Sequence, residues 1–252
     1  MKNLKNYLVI CIFLLPFKLY SQIGGLGGLM GNDNSFISPG SNLAVINGTP
    51  VDYDKNRYEG VKGDPMLYKD WGKGFIVTRD TTNKQENVRY NFDGYANELH
   101  IRYPDGRVII PYNYQIGGFQ IMEDTTEHIF RRIAIQDKDD ARYYEVIYYS
   151  TKYEIYKWHV RQLVKANLQT RGSVETGKAY DEIVASERYF IRIKRERFVP
   201  LKKLTQSSLE DALPQQKEQI VQAIKALKLS KRLTVMELKS LFRQIETTAI
   251  NN

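Results

Sequence analysis

Between residues 46 and 199 the chain repeats with a period of two, and that alternation limits its fold more than any other feature. Val88, Tyr90 and Phe92 alternate with Arg89 and Asn91; Leu99, Ile101 and Tyr103 alternate with His100 and Arg102. A strand sends successive side chains to opposite faces, so this spacing suits half-buried sheet and leaves an amphipathic helix no apolar stripe. Pro104-Asp105-Gly106 interrupts the pattern. Proline presets one backbone dihedral and glycine accepts a positive one, which predicts a tight turn. Val108 and Ile110 then resume the apolar face and complete a hairpin.

A second hairpin is predicted from Tyr143 to Val160. Tyr144, Val146 and Tyr148 share a face, Ser150-Thr151-Lys152 turns, and Ile155 and Trp158 lie on or near the return strand. Ile129 to Ile135 reads as another strand, ended by the polar run Gln136-Asp137-Lys138-Asp139-Asp140, and Tyr189, Ile191 and Ile193 mark a late one. With 18 tyrosines, the composition favours pleated surfaces on which the ring packs and the hydroxyl stays wet. Short strands without intervening helices predict a mainly β domain over residues 46–199, arranged as an antiparallel meander, a sandwich or an open barrel.

The period changes after about residue 203. Ser207 and Glu210 have capping-box spacing, and Pro214 can open a helix at its first turn. Ile220, Val221, Ile224 and Leu227 follow at helical spacing. Thr234 and Glu237 repeat the box, ahead of a stripe of Leu238, Leu241, Phe242 and Ile245. A C-terminal pair of short helices over residues 200–252 is therefore expected, with its apolar stripes buried on the sheet or on each other.

Ahead of the β region, Lys2 and Lys5 precede the apolar run Leu8–Leu15, and Leu19-Tyr20-Ser21 sets a small residue before Gln22. That order predicts a secretion signal over residues 1–21, since the run is too short to span a bilayer. Residues 22–45 begin Gln-Ile-Gly-Gly-Leu-Gly-Gly-Leu-Met-Gly and read as a flexible leader. Removing the signal takes away Lys2, Lys5 and Lys18 and lowers the formal net charge from +8 to +5. It also removes Cys11, the one cysteine, which excludes disulfides, thiol catalysis and cysteine-held metals from the mature chain. The expected location is the periplasm or outer-membrane surface of a Gram-negative bacterium. The bases are interspersed with acids, so nucleic acid is not an expected partner. No later segment has the length and apolarity of a membrane span.

The stretch Gly63-Asp64-Pro65-Met66-Leu67-Tyr68-Lys69-Asp70-Trp71-Gly72-Lys73-Gly74, the strand Tyr189-Phe190-Ile191, the basic Leu201-Lys202-Lys203 and the signal ending Tyr20-Ser21-Gln22 resemble uncharacterised exported proteins of Bacteroidetes-type bacteria. The resemblance covers most of residues 58–250. It implies an envelope location and a β-then-α order, and it brings no activity.

No motif declares a reaction. His100, His128 and His159 lie in strand-like segments without a second histidine at ligand spacing, so each is read as an ordinary strand position and no metal site is expected. Asp137, Asp139 and Asp140 lack the glycine and final glutamate of a calcium loop and read as a turn. Glu145 and Glu154 lie near one another on the second hairpin, the one pairing that could serve a glycosidase-type hydrolase. Trp71, Tyr68 and Trp158 are the candidate binding aromatics, set against ordinary core packing. Asp80-Thr81-Thr82 and Asp124-Thr125-Thr126 look like threonine-linked glycosylation sites, at Thr81 and Thr125. The expected function is a non-catalytic envelope module for a protein or glycan partner, without a cofactor. A carboxylate-dependent envelope hydrolase and an accessory subunit of a secretion or surface-assembly machine are the alternatives.

Overall fold

The computed structural model describes residues 46–51, 57–78, 82–83, 87–135, 141–171 and 174–250. The expected signal and leader, Thr81, and Asp137, Asp139 and Asp140 lie outside these residues. The described strands are β1 (Gly48–Val51), β2 (Lys73–Thr78), β3 (Thr82–Asn83), β4 (Arg89–Asp93), β5 (Glu98–Arg102), β6 (Val108–Pro111) and β7 (Ile116–Glu123). They continue with β8 (Thr126–Ala134), β9 (Ala141–Tyr149), β10 (Tyr153–Val164), β11 (Gln169–Arg171), β12 (Val174–Thr176), β13 (Glu182–Ile193) and β14 (Val199–Leu201). The helices are α1 (Gln206–Ala212), α2 (Lys217–Ala226) and α3 (Val235–Ile250).

The fold is mainly β with a helical tail. A four-stranded sheet runs β1-β6-β5-β4, an eight-stranded sheet runs β14-β13-β10-β9-β8-β7-β2-β3, and β11-β12 is a small separate hairpin. Every strand pair is antiparallel, and β14 and β3 are distinct edges, so the large sheet is open and not a closed barrel. The predicted turn at Pro104–Gly106 joins β5 to β6, with Gly106 at φ +87°. β9 and β10 form the second predicted hairpin, with one residue, Ile147, bulged out of register. The tail carries three helices where a pair was expected. Leu213 leaves helical geometry and Pro214 starts a short 3₁₀ turn, so the first helical stretch ends as a separate element.

One face of the large sheet holds two apolar clusters. At one end Tyr153, Ile155 and Ile191 pack beneath Leu209, Ile220, Leu238 and Phe242 of the helices. At the other, Phe119, Phe130 and Tyr143 pack against Tyr90, Phe92 and Ile101 of the small sheet. The rings of Phe119 and Phe130 stack at 4.7 Å, and Phe92 lies 5.4 Å from Phe119. Burial of each such ring contributes about 1.5–3 kcal/mol, so both ends are anchored and the strip of sheet between them is held rigid. No described helix is long and apolar enough to cross a membrane.

Candidate functional site

The strip between the two clusters is polar, and β10 shows why. Its inward positions read Tyr153, Ile155, Lys157, His159 and Arg161. The first two fill the helix-covered core, and the next three cannot. Register sets Lys157 opposite Glu145 on β9 and Tyr189 on β13, with His159 opposite Glu187. On β8, Phe130 faces Glu145 across the pair, which brings His128, two residues away, to the same face.

These side chains converge on one carboxylate. Glu145 Oε1 accepts from His128 Nδ1 at 2.8 Å. Its Oε2 lies 2.6 Å from His159 Nε2 and 2.7 Å from Lys157 Nζ. Burial alone would raise the Glu145 carboxyl, but hydrogen bonds from both histidines and the charge of Lys157 overcome it and hold the group well below the usual carboxylate range. His159 is pushed down by burial, partly offset by its bond to Glu145, and is neutral at pH 7. An ionised carboxylate only accepts, so the proton of His159 sits on Nε2 and Nδ1 of His128 carries one.

A roof crosses this strip. Lys62 pairs in parallel with the start of β13: its N–H donates to the Asp181 carbonyl at 2.9 Å, and the Ile183 N–H donates to the Lys62 carbonyl at 2.8 Å. Gly63 sits there at φ +87°, where a Cβ would meet the Ile183 carbonyl oxygen at 2.4 Å, so only glycine fits. The chain then runs along β4, with Leu67 N–H donating to the Phe92 carbonyl and Gly72 bridging to Tyr90. The Asn91 amide grips Tyr68 from both sides, donating to its carbonyl at 2.8 Å and accepting from its N–H at 3.3 Å. This clamp sets the Tyr68 ring 5.2 Å from the His128 ring.

Between roof and sheet lies a cleft of about 340 Å³. Its lining includes Tyr68, His128, Lys157, His159 and Arg161, and it reaches solvent along the exposed Ala185, Ser186 and Glu187 of β13. Three buried polar atoms on lining residues have no hydrogen-bond partner in the protein: the Tyr68 hydroxyl, His128 Nε2 and Arg161 Nε. The nearest acid to His128 Nε2, Glu123, is 3.6 Å away, beyond hydrogen-bond reach. Unsatisfied buried groups cost about 1–3 kcal/mol each, and here three of them line one cleft.

The structure separates most of the residues singled out from sequence. Glu145 faces this cleft. Glu154 lies three positions from Lys157 on a regularly paired strand and so faces the other way, where Arg192 holds it at 2.7 Å. The two carboxylates share no cleft. Tyr68 is 5% exposed and lines the site. Trp71 is half-buried with the Arg102 guanidinium 5.8 Å from its ring centre, and Trp158 is on the opposite face of the sheet, so the three aromatics form no common platform. Thr125 is exposed in the β7–β8 turn. His128 and His159 are more than strand filler: together with Lys157 they surround Glu145. They lie far apart in the chain and meet only through the β8-β9-β10 order. The signal available in sequence was the inward run of β10 turning from Tyr and Ile to Lys, His and Arg.

Asp93, Glu98 and His100 form the one group of potential metal ligands among the described residues. Its acids already have work. Asp93 accepts from the Tyr95 and Ala96 N–H groups at 2.9 Å each and from the Tyr58 hydroxyl at 2.6 Å, while Glu98 pairs with Arg57 at 2.6 Å. These bonds hold the β4–β5 turn. No family model matches the chain, and neither the curated proteins nor the solved structures contain a match to it.

Proposed function

We propose that this chain is an exported cell-envelope binding module that holds a neutral, multiply hydroxylated ligand, a sugar unit of a glycan, in the cleft beneath the 62–72 segment. The observation that carries the reading is the set of orphaned polar atoms: one hydroxyl, one imidazole ring nitrogen and one guanidinium donor on the walls of a single cleft. A sugar offers both donors and acceptors at close spacing and can satisfy all three. Charge supports a neutral ligand, since Lys157 is matched by Glu145 and stands 3.6 Å from Glu187. The volume falls at the small end of ligand pockets, roughly 300–1,000 Å³. The envelope location rests on the lysines and apolar run at the N-terminus. A two-carboxylate hydrolase is disfavoured, because its acid needs a raised pKa and Glu145 is held low.

Tyr68→Phe separates a ligand contact from a structural one. It removes an oxygen that nothing in the protein bonds, so the free protein should be as stable or more stable by up to about 1 kcal/mol. Calorimetric titration with a panel of monosaccharides and short oligosaccharides should show binding to the parent, weakened about 10-fold in Tyr68→Phe. A panel without a binder, or a variant that binds the same sugar equally well, would sink the proposal.

A further inference from the structure

We infer that the sugar in the cleft is carried on an extended peptide, which adds as a short strand to the free edge of β13 between Lys62 and β14. This deepens the reading above and rests on it: the cleft takes the sugar, and the edge takes the chain that bears it. β13 pairs with β10 in one unbroken register from Glu182 to Ile193, so its backbone groups alternate sides without a slip. The Ile183 N–H points away from β10, since it donates to the Lys62 carbonyl at 2.8 Å. By the same alternation Tyr189 and Ile191 turn their backbone groups toward Leu201 and Val199 of β14. Ala185 and Glu187 lie between these two neighbours, in step with them. Their N–H and C=O groups point to the same side, and no described element pairs with them there. Residues 184–188 are exposed.

This stretch of edge offers a donor and an acceptor at each of two positions about 6.8 Å apart, the repeat of a strand. A single acetamido group on a sugar cannot match it, because a trans amide directs its N–H and C=O to opposite sides. An extended residue turns its own N–H and C=O to one side. In the antiparallel arrangement that β14 uses, a residue opposite Ala185 or Glu187 exchanges both bonds with it. The neighbours also set the length. Lys62 closes one end where it bridges Glu182, and β14 closes the other, so only a few residues fit. A second copy of β13 is shut out: laid antiparallel on this edge, its β14-paired half would run into Lys62.

Register also decides where the added side chain goes. Ala185 and Glu187 lie opposite Arg161 and His159 of β10, on the covered face, and both line the cleft. Directly opposed residues on neighbouring strands put their side chains on one face. A residue added opposite Ala185 or Glu187 therefore sends its side chain to the covered face, at the mouth of the cleft whose Tyr68 hydroxyl, His128 Nε2 and Arg161 Nε have no partner in the protein. A sugar on that side chain is delivered to the cleft by the pairing that fixes its peptide. Two weak contacts joined in this way reinforce each other, since the second forms at a high effective concentration.

The probes are blocked tripeptides, N-acetyl-Ala-Thr-Ala-amide with glucose, galactose, mannose or N-acetylgalactosamine on the threonine. Each is set beside the methyl glycoside of the same sugar and the bare tripeptide. Calorimetric titration of the full chain should give a glycopeptide bound about 10-fold or more tighter than its methyl glycoside and than the bare peptide. Ala185→Pro removes an N–H that faces away from β10, a change that edge strands tolerate. It should lower the glycopeptide to the affinity of the glycoside and leave the glycoside unchanged, while Tyr68→Phe weakens both. If the proline variant fails to fold, residue-resolved amide exchange of the parent is the readout: Ala185 and Glu187 should slow with the glycopeptide and not with the glycoside. A glycoside that binds as tightly as its glycopeptide would overturn the inference and leave the sugar reading standing. A bare tripeptide as tight as the glycopeptide, or unchanged exchange at both amides, would also overturn it. Binding by none of the glycosides or glycopeptides would remove the inference and the sugar reading together.

Discussion

The two faces of the eight-stranded sheet are built from the same kinds of residue and handle charge in opposite ways. On the covered face one glutamate, Glu145, is surrounded by Lys157, His128 and His159, all within 2.8 Å, and the cluster carries little net charge. On the opposite face Glu154 meets Arg192, and the exposed Arg188 lies 5.4 Å from the ring centre of Trp158. The difference follows from cover. A charge shut away from water must find its counter-charge inside the protein. A charge at an open face keeps water on one side and uses the ring only to fix its orientation.

The largest expected effect tests this asymmetry directly. Glu145→Gln leaves Lys157, whose side chain is 11% exposed, without its carboxylate and faces three donors with an amide that can accept at only one atom. Breaking a buried pair in this way costs about 3–5 kcal/mol. Glu154→Gln frees an arginine that is 30% exposed and able to hydrate, at about 1 kcal/mol. Urea unfolding of the two variants side by side measures the gap; equal losses would erase the distinction between the faces.

A smaller effect lies in pH. Glu145 and His159 both have pKa values depressed in the folded protein. As pH falls, the unfolded chain therefore takes up protons before the folded one, and stability is lost. Their contribution is complete above about pH 6.5, the ordinary value for histidine, begins to fall below it, and falls more steeply below the ordinary 4.5 of a glutamate. Glu98, held low by His100 and by Arg57, loses stability in that lower window too. The difference between parent and Glu145→Gln isolates the cluster: the penalty of the substitution should shrink by roughly 2 kcal/mol between pH 7 and pH 3. A penalty that stays constant across that range would mean that Glu145 titrates alike in the folded and unfolded chains.

The comparison was only half legible in the sequence, for physical reasons. Local chemistry could be read directly. Pro104-Asp105-Gly106 makes its turn, and Thr234 with Glu237 closes a reciprocal capping box, bonded at 2.7 and 3.2 Å. The first helix was misread by two residues, because Thr205 rather than Ser207 caps it. Alternation identified strands and their faces, yet it failed at β4, where Asn91 and Asp93 are as buried as Tyr90 and Phe92. Asn91 is engaged by the Tyr68 backbone, and Asp93 by Tyr58, Tyr95 and Ala96, and no local pattern announces such partners. Glu145 could be named as a carboxylate of interest, but its partners depend on which strands are neighbours and on a bulge at Ile147 that resets the register. Those are tertiary outcomes, invisible to a window of a few residues.

The smallest effect concerns the opposite face alone. Arg188→Gln removes an exposed cation that lies 5.4 Å from the ring centre of Trp158. An exposed cation–ring contact contributes about 0.5–1 kcal/mol, so the substitution should cost no more than that. Trp158 keeps its packing against Tyr144, 6.2 Å away, and the sheet beneath is unchanged. Thermal unfolding should therefore place this variant within a few degrees of the parent, while Glu145→Gln falls well below it. A loss of 3 kcal/mol or more from Arg188→Gln would mean that Arg188 is covered, by a segment outside the described residues or by a second copy of the chain. Concentration-dependent melting would separate those two causes, because only cover by another copy is strengthened by mass action.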